Sequence, residues 1–135
     1  MTALTKERNT PTRLSKRFSD PVAASAVIFA GALVVLDASG NAAKGTTATG
    51  LTARGVAQAT VDNSNGAAAD KTVETEAGTH RFVNDGTDTI DRTDIGGTAY
   101  IVDDQTVAAT DGTGTRSAAG KIVDVDDLGV WVEIG

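Results

Sequence analysis

Residues 22–36 read VAASAVIFAGALVVL, the one long apolar run of the chain. Its reading decides the fold. The run follows the basic pair Lys16-Arg17, so it imitates an export signal. Fifteen residues are few for a membrane span. Asp20-Pro21 interrupts the junction, and a polar lead of 20 residues is long for a signal. The run reads better as two β-strands, 23–29 and 32–37, folded at Gly31.

The rest of the sequence agrees with strands. The chain has 135 residues, enough for one domain, or one domain with a tail. Leu, Ile, Val and Phe number 6, 6, 14 and 3, or about 21% of the chain, just above the composition at which chains stay disordered. The core must therefore be small. Val outnumbers Leu and Ile together, and 20 Thr and 15 Gly favour short strands and turns over helices.

Turn clusters divide the chain at 37–41, 62–66, 84–86 and 110–115. Between them, strands are expected within 51–61 (with Gly55 at a bulge or close approach), 71–76, 79–83, 98–102 and 105–108. Residues 42–50, rich in Ala, Gly and Thr, read as a loop. Asn65-Gly66 reads as a turn that tolerates positive φ. GKIVDV (120–125) and GVWVEI (129–134) read as a closing hairpin across Asp126-Asp127-Leu128. One turn of helix is expected between Ile90 and Ile95, with Asp91 as its N-cap. Short strands at this spacing give an all-β fold, a small single-domain β-sandwich or barrel. Phe29, Phe82, Tyr100 and Trp131 are the large groups expected in its core.

The charge is uneven. Residues 1–20 carry Lys6, Arg8, Arg13, Lys16 and Arg17 against Glu7 and Asp20, a net +3; residues 21–135 carry 7 bases against 16 acids, a net -9. The chain divides into a basic, extended N-terminal arm (1–20) and an acidic β domain (21–135). Pro11 and Pro21 disfavour one continuous helix across the arm. Such an arm suits an acidic partner surface better than nucleic acid, because the body behind it repels phosphate and Phe18 is its one aromatic. Fully extended, it reaches about 60 Å. Burial of Leu14 and Phe18 is its expected anchor, with Leu4 contributing and Lys6, Arg8, Arg13, Lys16 and Arg17 setting register.

Chemistry is sparse. There is no Cys, which removes disulfides, thiolate catalysis and cysteine metal sites. His80 is the single imidazole, and in THRFV it reads as a structural residue on a strand face. There is no nucleophile elbow, P-loop or dinucleotide fingerprint. No catalytic residue, cofactor or metal ligand is assigned. Asp85, Asp88, Asp91 and Asp94 recur every third residue, and Asp124, Asp126 and Asp127 form a second group. Neither follows the order of a known calcium loop, and both read as a solvated acidic rim. A secreted or surface β module with calcium binding is the alternative these acids leave open.

Four stretches, taken in order, carry a family resemblance: DPVAASAVIFAGALVVLDASGNAAKG, GLTARGVAQATVDNSNGAAADKTVETEAGTHRF, DIGGTAYIVDDQTVAAT and SAAGKIVDVDDLGVWVEI. Together they resemble the small capsid decoration, or cement, proteins of tailed bacteriophages over residues 20–134. That resemblance implies a non-enzymatic structural protein on the outer surface of the virion head, made in the host cytoplasm. Its implied partners are the major capsid protein and further copies of itself, as a homotrimer or alternatively a dimer. Nucleic acid, membrane and small-molecule substrates are not among them.

Overall fold

The computed structural model describes residues 2–11, 13 and 16–135. It is all-β, with twelve strands and one short 3₁₀ turn among the described residues. Five strands form a sheet in the order β1-β7-β5-β3-β4: β1 (Arg17–Pro21), β3 (Leu33–Leu36), β4 (Ala42–Lys44), β5 (Thr52–Ala57) and β7 (Thr72–Glu76). All its pairings are antiparallel. A short pair, β2 (Val27–Ile28) with β6 (Val61–Asp62), forms a sheet of its own. The remaining five close into a barrel in the order β10-β8-β12-β11-β9: β8 (Gly78–Asn84), β9 (Thr98–Ile101), β10 (Thr106–Ala108), β11 (Ala118–Asp126) and β12 (Gly129–Ile134). Only β8 and β10 pair in parallel. Closure leaves those strands no open edge.

Two apolar cores result. The barrel encloses Phe82, Ile90, Ile101, Val107, Ile122, Val130, Val132 and Ile134, and takes Leu33 and Val35 from β3. The second core gathers Val22, Ile28, Ala42 and Val73 around Val34, from the same strand. Successive residues of a strand face opposite ways, so the unbroken run Leu33-Val34-Val35 serves both cores at once. The second core is drawn together where Val22, one residue beyond β1, bridges to Ala42 of β4, and Ala23 N donates to Ala42 O at 2.9 Å. The two ends of the five-stranded sheet thus meet.

The 22–36 run is a strand-turn-strand unit, as its pattern predicts, with Gly31 at φ 88° in the turn. Its first strand is shorter than expected, only Val27–Ile28. The hairpin β11/β12, the single helical turn (Arg92–Asp94) and the strands near 72–76 and 98–101 also fall where the sequence puts them.

Four expectations are corrected. Ala42–Lys44 lies in a strand, recruited by β3 and Val22 although its residues carry no strand pattern. Phe29 is 62% exposed, because it precedes the Gly31 turn and points out of it. Tyr100 and Trp131 are only half-buried, on outward positions of β9 and β12, so of the four large groups Phe82 alone is core. Residue 66 is Gly for a different reason than positive φ: a Cβ there would collide with Asn63 Oδ1. Gly55 is both bulge and close approach. The β3–β5 register slips beside it, and a Cβ on it would lie 2.5 Å from Glu76 O.

Because β3 belongs to both cores, they should unfold together. Leu33→Ala, on the barrel side, is expected to cost about 2–5 kcal/mol. Val34→Ala, on the other side, should also lower the single transition seen by calorimetry. Two separated transitions in either variant would refute the coupling.

Candidate interaction surface

The arm enters the body through β1, which pairs with β7 from Arg17↔Glu76 to Pro21↔Thr72. Arg17–Asp20, the last four arm residues, are therefore part of the five-stranded sheet. Arg54, the extra residue at the β5 bulge, fastens them. Its Nε donates to Asp20 Oδ2 at 2.8 Å and its Nη2 to Asp20 Oδ1 at 3.1 Å, a two-pronged ion pair. Its guanidinium carbon also lies 3.6 Å from the centroid of the Phe18 ring. Bulges turn a side chain out of the regular pleat, and this one presents a cation to both an aromatic face and a carboxylate. The Asp20 side chain is 13% exposed and that of Arg54 29%, so water screens the pair less than it would a surface bridge. At the open end of β1, Arg17 Nη2 meets Glu76 Oε2 at 3.2 Å.

The arm's proposed binding residues separate into two groups. Phe18 is half-buried under Arg54, and Arg17 is exposed on β1. Arg13, Arg17, Phe18, Ser19, Arg54 and Glu74 line one open cleft of about 520 Å³. Lys6, Arg8, Arg13 and Lys16 are exposed, as is Leu4 at 72%. Leu14 lies outside the described residues. Sequence reading missed Arg54 altogether; its one signal is a base beside Gly55 in a strand of otherwise small residues.

Several of the acidic groups order loops. Asp88 Oδ2 accepts from Thr110 N at 3.0 Å, Thr110 Oγ1 at 2.6 Å and Arg116 Nη1 at 2.8 Å, tying the 85–91 loop to the 109–116 loop. The Thr110 hydroxyl, above all, holds the Asp88 carboxyl below its ordinary value of 3.8. Asp91 caps the 3₁₀ turn through Thr93 N, and Asp94 returns a bond to Asp91 N, a capping box. The Thr93 hydroxyl, which also donates to Asp91 Oδ1, is the main cause that lowers the Asp91 carboxyl. Asp126 accepts from Leu128 N, Gly129 N and Trp131 Nε1 across the hairpin turn, and the indole leads the causes that lower it. Among the described residues, no three His, Cys, Asp or Glu side chains gather as a metal site. His80 lies on β8, its Nε2 3.0 Å from Glu76 O.

Compared with protein-family models, with curated proteins and with solved structures, the chain matches none.

Two outcomes follow. Arg54→Ala should release β1: hydrogen exchange at Phe18 and Asp20 rises by an order of magnitude or more, while barrel amides keep their protection. Its stability cost is about 1–3 kcal/mol, since Asp20 is left half-enclosed without its cation. Unchanged exchange would show that β7 pairing alone holds the strand. The second outcome concerns Asp88, whose folded pKa lies below its unfolded one. Its contribution is present above pH 3.8 and is lost as pH falls through the lower folded value. The melting-temperature gap between wild type and Asp88→Asn should stay level near neutrality and narrow only below pH 3.8.

Proposed function

We propose that this chain is a head decoration protein of a tailed bacteriophage, which binds the outer face of the expanded capsid and braces contacts between major capsid protein subunits. The observation that carries the reading is the exposed basic arm rooted on a rigid acidic body. Lys6, Arg8, Arg13 and Lys16 are exposed to solvent, while Phe18 and Asp20 are fixed by Arg54. The order of sequence stretches described above supports it independently.

Such a protein performs no reaction. It adds contact area across a seam, and the arm gives it a second point of attachment. Several weak contacts on one assembly multiply through high effective concentration. Charge on the arm speeds encounter and sets register, and apolar burial supplies the holding energy. The body's two shared cores and closed barrel suit a part that must keep its shape under internal pressure.

Co-sedimentation with expanded heads stripped of decoration tests the proposal. Binding should saturate at a fixed ratio to the major capsid protein. Removing residues 2–16 should weaken it tenfold or more, which is about 1.4 kcal/mol or above. Added salt should slow association more than it speeds release. Absence of saturable binding to heads of proven competence would sink the reading.

A further inference from the structure

Three uncovered apolar side chains stand on neighbouring segments of the body. Phe29 is 62% exposed, Val83 48% and Leu128 72%, half of the large exposed apolar side chains among the described residues. They are joined through the fold. Val83 N donates to Gln105 O at 2.7 Å, and Gln105 shares with Phe29 and Gly31 the lining of a shallow cavity of about 300 Å³. At the other end, Gly129, next to Leu128, runs so close to Phe82, next to Val83, that a Cβ on it would collide with the Phe82 carbonyl. An acidic pair flanks each end: Asp103-Asp104 before Gln105, and Asp126-Asp127 before Leu128.

A ligand for this row must be apolar and cationic together. The body of another copy fails the second condition, since residues 21–135 sum to -9. One segment of the chain meets both. The arm bears Leu4 at 72% exposure, with Lys6 and Arg8 two and four residues on, all turned to solvent. Leu4, Lys6 and Arg8 lie within five residues of one another around the bend at Thr5-Lys6, so an apolar side chain and two cations are presented close together. The chain's own arm does not cover the row, because residues 2–11 are exposed throughout.

We propose that the Phe29–Val83–Leu128 row is the docking site for the N-terminal arm of a second copy. Leu4 seats on the apolar row, and Lys6 and Arg8 face the flanking aspartates. The twelve residues from the root at Lys16 out to Leu4 extend to about 40 Å, enough to cross from one body to an adjoining one. Giver and receiver surfaces differ, so the arms are either exchanged between two copies about a two-fold axis or passed head-to-tail around a closed ring. The inference rests on the arm being a docking element and assigns its target to a neighbouring copy.

Sedimentation velocity without heads tests it. The full chain should form a closed oligomer, and the chain lacking residues 2–16 should be monomeric. A Phe29→Ser/Leu128→Ser variant, altered only at exposed positions, should also be monomeric with an unchanged circular dichroism spectrum. Mixing these two monomers is the decisive arm, because one lacks only the arm and the other only the row. They should associate one to one, and Lys6→Asp/Arg8→Asp in the row-deficient partner should weaken that association at least tenfold. A monomeric full chain, an oligomer that survives arm removal, or failure of the two variants to associate would each overturn the proposal. Head binding by a monomeric full chain would remove this inference and leave the decoration reading standing; an arm-dependent oligomer that ignores heads would do the reverse.

Discussion

Leu33, Val34 and Val35 are wholly buried, and successive members of the run face opposite cores. A strand with apolar side chains on both faces is stable only between two layers, so β3 obliges the chain to build on either side of itself. The backbone repeats the constraint. Leu33 N donates to Asp104 O in the turn between β9 and β10, and Leu33 O accepts from Gly45 N just past β4. A Cβ at Gly45 would lie 3.1 Å from both Asp103 O and Ile101 Cγ2, so the smallest residue stands where sheet and barrel come closest. Sharing one strand is how a chain with so few large apolar residues supports two cores.

With apolar material concentrated there, the loops are ordered by polar side chains. Asp37 accepts from Ser39 N and Asn41 N, Asp103 from Gln105 N, and Asp126 from Leu128 N and Gly129 N. Asn63, 2% exposed, donates to Ala23 O and Ala67 O and so ties two loops together. Ser117 donates to Ala48 O and accepts from Leu51 N, fastening the 45–51 loop to the barrel. The negative charge of the body is in large part the by-product of this turn chemistry. It also gives the surface the sign that a basic arm would meet.

This division explains what the sequence disclosed. Strands whose two faces differ in polarity, such as Thr72–Glu76, and the hairpin around Asp126-Asp127-Leu128 were legible because local pattern and final environment agree. Asp91 was legible as a cap because the capping box is a local device. Ala42–Lys44 was not, since its pairing comes from β3 and Val22, far away in sequence, and alanine carries no period. Phe29 misled because size is a poor guide to burial at a turn. The basic arm was visible as charge, but its boundary was not: Arg17–Pro21 joins the sheet through β7 and through Arg54, thirty-four residues beyond Asp20.

The same energetics decide where the arm ceases to belong to its own body. Fixing a residue costs about 1 kcal/mol or more, and an exposed ion pair returns only about 0.2–1 kcal/mol. Phe18 and Asp20 exceed that threshold because one guanidinium serves both, beside a full ladder of backbone bonds to β7. Residues 2–11 have no such support, and their side chains are exposed throughout. Their charges alone cannot order them on any surface. Ordering them takes apolar burial as well, and Leu4, 72% exposed, is the large apolar side chain that residues 2–11 have to offer.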